Sequence, residues 1–227
     1  MKLDEFLNNI QAMLDASTCY LQGGFGQRLK NPGGDWYDKN YAWNKAHKAI
    51  IDAHTNLDPV CYGFDCVCMI KSGLWNFRAD PSKPYGAAKY ESNNVPDCSI
   101  ESLYKKYCYG YSEDFNTDPE PGEILFYDST FGHVGVSLGG GYVAEATPAW
   151  KCGVQKTLIA NRLNPEAVPV RKWWQHAKCT FIDYTPQHVT DWEAVYKMLS
   201  DKYGKLEAEN TALKIKIEQI KEIINNG

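Results

Sequence analysis

Gly132-His133-Val134-Gly135-Val136-Ser137-Leu138-Gly139-Gly140-Gly141-Tyr142-Val143-Ala144-Glu145-Ala146-Thr147 is the stretch that decides the fold class. Two runs with a period of two, His133 to Leu138 and Tyr142 to Ala146, flank three glycines. That is the pattern of an antiparallel hairpin. Val134, Val136 and Leu138 form one face of the first strand; His133, Gly135 and Ser137 form the other. With glycines 139–141 as the loop, Leu138 faces Tyr142 and Gly135 faces Glu145. Glu145 then shares a face with His133, diagonally across and within reach of the imidazole. A carboxylate in that place orients a general base and stabilises its charged form. A slip of one residue separates the pair, and a solvent-facing Glu on an edge strand is the plainer alternative.

Further strand patterns cover 124–127 and 179–184. Helical patterns cover 3–15, 41–54, 65–76 and 99–107. Helices first and antiparallel strands second make an α+β architecture. Residues 78–98, with Pro81, Pro84 and Pro96, read as a long loop, a kind of segment more often functional than accidental.

A second chemical candidate is Tyr62-Gly63-Phe64-Asp65-Cys66-Val67-Cys68-Met69-Ile70. Asp65 is a good N-cap, which places Cys66 in the first turn of a helix. Unpaired N–H groups and the helix dipole there favour a thiolate and can hold an oxyanion. The Asp65 charge opposes the thiolate, and a buried structural cysteine is the equal alternative. Cys68, a rival nucleophile, points to nearly the opposite helix face. His47 and His54 read as solvated, and His176 and His188 have no setting like that of His133.

The chain has 227 residues, with 24 Lys and Arg against 28 Asp and Glu, a formal net charge of −4. That balance argues against nucleic acid as the main partner. No apolar run approaches the ~20 residues of a membrane span. The start, with Asp4 and Glu5 among Leu3, Phe6, Leu7 and Ile10, reads as an amphipathic helix rather than a signal peptide. The eight cysteines are therefore expected to be made and kept in a reducing cytoplasm. Cys66-Val67-Cys68, with Cys61 five residues earlier, lacks zinc-site spacing, so no metal site is expected.

Composition changes near the end. Leu199, Leu206, Leu213 and Ile220 repeat every seven residues, with Tyr196, Tyr203, Asn210, Ile217 and Ile224 at the other seam position. This is a heptad pattern. Asn210 in the seam selects register by pairing with its own copy. Lys202 with Glu207 and Glu209 with Lys214 favour a parallel pair; Lys216 with Lys221 opposes it. The expected organisation is a folded domain over 1–184, a linker over 185–191 and a coiled-coil helix over 192–227. A parallel homo-oligomer through 192–225, most simply a dimer, follows.

Gly63-Phe64-Asp65-Cys66, then Gly122-Glu123-Ile124-Leu125-Phe126 and Gly132-His133-Val134-Gly135-Val136, resemble the NlpC-type and CHAP-type papain-like cysteine hydrolases that cut peptidoglycan. Tyr20-Leu21-Gln22-Gly23-Gly24 resembles the Tyr-x-x-Gly-Gly motif of that family. With Tyr142 to Thr147 and Trp174 to Tyr184, the chain looks like the catalytic domains of phage endolysins over roughly 1–184. The resemblance implies a papain-like α+β fold with Cys66 as nucleophile, His133 as base and Glu145 as orienting residue. It also implies substrate contacts for Tyr20 and Asp65. Two departures stand out: Val67-Cys68 replaces the common Ser-Gly, and about forty residues separate Gly24 from Cys66. The implied activity is amide cleavage in the peptide part of peptidoglycan, without a cofactor. The protein would be made in the cytoplasm and released to the wall by a holin-type or other route. N-acetylmuramoyl-L-alanine amidase specificity is an alternative, and a transglutaminase-like acyl transferase shares the same triad logic. A non-enzymatic, oligomeric wall-binding protein of the same fold is the rival from another class.

Overall fold

A computed structural model describes residues 1–29, 41–55, 57, 59–163 and 172–185, with single positions from 200 to 221. The chain divides into two compact units, Met1–Tyr184 and Thr185–Gly227. In the second, Asn210, Leu213 and Ile217 are helical and exposed. The rest of the heptad seam, and the linker beyond Thr185, lie outside the described residues.

The first unit is α+β, as its element order anticipates. Helix α1 (Leu3–Asp15) buries Phe6, Asn9, Ile10 and Met13, one stripe at helical spacing, and carries Asp4 and Glu5 in its first turn, where the dipole favours them. Strands β1 (Ser17–Tyr20), β2 (Phe25–Arg28) and β3 (Cys61–Phe64) form a small sheet in the order β1-β3-β2. The strand patterns read from the sequence include none of these three four-residue strands. The single helix expected over 41–54 is two, α2 (Ala42–Ala46) and α3 (Lys48–Ala53). They are parted at His47, whose φ of −117° and ψ of 24° leave the helical region. His47 is not simply solvated: its ring stacks on Trp43 at 4.2 Å.

Helix α4 (Cys66–Leu74) is buried on nearly every side. Phe6 and Ile10 press so closely on Gly73 that a Cβ there would lie 2.9–3.0 Å from their rings and methyls. Asn9 Nδ2 donates to Gly73 O at 2.8 Å, so α1 is both packed and hydrogen-bonded to α4. The 78–98 segment is irregular, with short 3-10 turns at Pro84–Ala87 and Ser92–Asn94. Helix α5 (Ile100–Tyr107) starts on Ser99, whose side chain accepts from Ser102 N.

The main sheet contains β4 (Cys108–Ser112), β5 (Ile124–Tyr127), β6 (Val134–Gly139), β7 (Tyr142–Thr147), β8 (Gly153–Leu158) and β9 (Trp173–Cys179). Its order is β4-β9-β5-β6-β7-β8, and every neighbouring pair is antiparallel. The strand expected over 179–184 lies earlier in the chain, at β9. Gln175, His176 and Lys178 conceal it, yet each has a partner: Tyr104 Oη (2.5 Å), Glu123 (2.6 Å) and Glu120 (2.6 Å). Residues after Cys179 turn instead, with Ile182 N donating to Cys179 O. No helix among the described residues is long and apolar enough to cross a membrane.

Candidate active site

The β6–β7 hairpin turns on fewer residues than the sequence suggests. Gly139 pairs with Tyr142, so only Gly140 and Gly141 form the turn, both at positive φ (59° and 77°). That backbone matches the twist of a two-residue hairpin and suits glycine. An irregularity at Leu138 then restores the expected register, with Ser137 opposite Val143 and Val136 opposite Ala144. The Leu138–Tyr142 pairing is therefore wrong, while the placement it was meant to predict is right. His133 Nε2 lies 2.7 Å from Glu145 Oε2, and both residues are buried.

Strand β5 holds His133 from the other side, with Tyr127 N donating to His133 O at 3.1 Å. Trp173 of β9 stacks on the imidazole, with centroids 5.6 Å apart and planes 22° apart. Gly135 makes room for this indole: a Cβ there would lie 2.7 Å from Val143 Cγ2 and 3.2 Å from Trp173 Cη2. Gly135→Ala is expected to cost about 1–3 kcal/mol by overpacking and to lower turnover by displacing the ring under His133. Denaturant unfolding and steady-state rates on one preparation check both effects.

Glu145 is completely buried and fully engaged. Thr157 Oγ1 donates to Oε1 at 2.5 Å. Arg162 donates to Oε2 through Nε at 2.9 Å and Nη2 at 2.6 Å. Burial alone would raise the carboxyl pKa, but the hydrogen bonds and charges of His133 and Arg162 outweigh it and hold the group at about 2. Arg162, in the 3-10 turn Ile159–Arg162 after β8, is the site residue that sequence reasoning misses. No local pattern marks it, because its partner lies 17 residues away, on β7.

Cys66 opens α4 and is 7% exposed. The helix packs against β6 and β7, the two strands of the His133–Glu145 hairpin. Asp65 is the N-cap: Oδ1 accepts from Cys68 N at 2.7 Å, and Oδ2 accepts from Gly23 N at 2.8 Å. Both oxygens of Asp65 thus bind backbone, tying the Gly23 turn to the start of α4. Burial pushes the Asp65 pKa up, against those hydrogen bonds. The Cys68 thiol is pushed well above the ordinary range by burial and by the Asp65 charge, which makes it a poor source of thiolate.

Tyr20, at the end of β1, packs edge-on against Trp43 with centroids 4.7 Å apart. These two residues, His133, Thr147 and Arg162 line one cavity of about 380 Å³. Asp65 faces a different one, of about 510 Å³, with Lys71, Trp75, Tyr90 and Asp97. Tyr20 and His133 thus line one cavity, and Asp65, the residue before Cys66, lines the other.

His176, which the sequence leaves without a setting, forms a second buried His–Glu pair. Its Nδ1 lies 2.6 Å from Glu123 Oε2 and its Nε2 lies 3.0 Å from Asp114 O. Among the described residues, no group of three or more His, Cys, Asp or Glu side chains could hold a metal ion.

The α+β fold and this site describe a thiol at a helix start beside a hairpin whose imidazole is held by a buried carboxylate. No protein-family profile and no curated protein matches the chain by sequence. Among solved structures it is similar to the peptidoglycan hydrolase RipB from Mycobacterium tuberculosis. There the TM-score is 0.43 at 15% identity, over 80% of this chain and 65% of RipB. It is also similar to the P60 domain of an antigen from M. avium subspecies paratuberculosis, with a TM-score of 0.41 at 14% identity, over 80% of this chain and 96% of that domain. Both are distant likenesses of fold alone.

Proposed function

We propose that this protein is a cysteine hydrolase that cleaves an amide bond in the peptide part of peptidoglycan, in an endolysin-like role. The observation that carries the chemistry is the buried His133–Glu145 pair, 2.7 Å apart, on the hairpin against which the Cys66 helix packs. The motif resemblance over 1–184 supplies the substrate class.

In this reading Nε2–H of His133 donates to Glu145, so proton exchange runs through Nδ1. His133 takes the Cys66 proton, and the thiolate adds to the amide carbonyl. Backbone N–H groups at the start of α4 stabilise the oxyanion. The imidazolium protonates the leaving amine, and water activated by His133 hydrolyses the thioester. Glu145 stays ionised throughout and fixes the ring. Tyr20 and Asp65 are the substrate contacts; Tyr20 lines the His133 cavity, and Asp65 also holds the Gly23 turn on α4.

Mass spectrometry of soluble products from purified peptidoglycan tests the reading. Fragments with new amino termini inside stem peptides or cross-bridges support it. Release of intact stem peptides indicates muramoyl–alanine amidase specificity, and products bearing only new reducing sugar ends refute an amide-cleaving thiol.

The heptad residues 192–225 assemble the chain as a parallel homo-oligomer, a dimer in its simplest form, acting on the wall outside the cytoplasm. Several linked catalytic units on a repetitive polymer gain avidity without a new contact. Light scattering at micromolar concentration should give a multiple of the chain mass, and a monomer mass overturns this part.

A further inference from the structure

Cys19 and Cys152 lie 133 residues apart in sequence, yet their sulfurs are 3.5 Å apart. The backbone around them is held tightly. Thr18 Oγ1 accepts from Val154 N at 2.9 Å. Gly153, at φ +123°, lies so close that a Cβ would sit 2.5 Å from Thr18 O, so the chain approaches β1 in a form that favours glycine. Cys19 is fully buried, whereas Cys152 is partly exposed. Tyr20 N donates to Cys152 Sγ at 3.2 Å. Both thiols adjoin in sequence residues that line the candidate cleft: Tyr20 follows Cys19, and Thr147, Pro148 and Ala149 precede Cys152.

We propose that Cys19 and Cys152 are a modification site, a thiol pair that closes to a disulfide by exchange with a low-molecular-weight disulfide. Cys152 is the attacking sulfur. The Cys19 hydrogen bond and the Tyr20 N–H lower its pKa below the ordinary thiol range, against burial, and His54 and His47 assist. The Cys152 thiolate attacks one sulfur of the small disulfide, forms a mixed disulfide and expels one thiolate, which takes up a proton. The Cys19 sulfur then attacks Cys152 Sγ; its proton leaves with the second small thiol. Two protein thiols are oxidised, and one small disulfide is reduced to two thiols. The closed form ties the end of β1 to the segment just before β8. The sequence expectation that all eight cysteines stay reduced holds only while the protein remains in a reducing compartment.

The test is oxidation of the full chain with glutathione disulfide at pH 7, alkylation of remaining thiols, and peptide mapping without reductant. The expected product is a cross-linked peptide joining Cys19 to Cys152. In Cys19→Ser, glutathione should instead accumulate on Cys152, because the resolving thiol is gone. Oxidised wild type should melt roughly 10 °C above identically treated Cys152→Ser, since the bond closes a long loop. Linkage of Cys152 to the neighbouring Cys61, glutathione retained on Cys152 of the wild type, or alkylation of both sulfurs would each overturn the assignment. None of these readouts depends on hydrolytic activity, so the proposal stands or falls apart from the proposed function.

Discussion

Replacing Cys66 by alanine is expected to lower amide hydrolysis by at least about 10⁴-fold while leaving the fold intact. The side chain is small and sits in the first turn of α4, so its loss removes a thiol without opening a large cavity. Cys68→Ala should keep most activity. The Cys68 thiol is held protonated by burial and by Asp65, and no step of the proposed mechanism uses it. Turnover of soluble muropeptides, with circular dichroism and melting on the same samples, separates chemistry from folding. Substantial hydrolysis by Cys66→Ala would remove the nucleophile assignment. Alkylation data must be mapped by peptide, because Cys152 has a lowered pKa and should react early.

Glu145→Gln should show two large effects. The amide can still accept from His133, but Arg162 then remains as a buried cation without its counter-charge. Breaking a buried pair in this way costs about 3–5 kcal/mol, which for a unit of this size lowers Tm by roughly 10 °C. Turnover should fall by about 10²-fold with little change in KM, because the partner is lost chiefly when the imidazole is charged. The pH dependence has a definite sign. The folded pKa of Glu145 is about 2 against an ordinary 4.5, so its stabilisation is fully present above about 4.5 and is lost as pH falls toward 2. The stability gap between wild type and Glu145→Gln should therefore stay constant above pH 5 and narrow below it. A variant with wild-type Tm and turnover would sink the orienting role.

What the sequence alone determined about this protein is what short-range rules decide. The spacing of Leu3, Phe6, Leu7 and Ile10 sets α1. Asp65 before Cys66 sets the start of α4, and glycines between alternating runs set the hairpin. His133 and Glu145 were legible for the same reason: they are 12 residues apart across one turn, so register alone brings them together. Even there the turn is shorter than it reads, and the irregularity at Leu138 absorbs the difference.

Tertiary structure decided everything that depends on distant partners. β9 is a central strand because Tyr104, Glu123 and Glu120 satisfy its polar residues, and a run with unpaired polar groups does not read as a buried strand. Arg162 completes the Glu145 site from a turn beyond β8, and Cys152 meets Cys19 only because β8 begins against β1. No period or spacing encodes such meetings. They arise when burial forces separate elements together, and each buried charge or thiol then takes the partner that packing supplies.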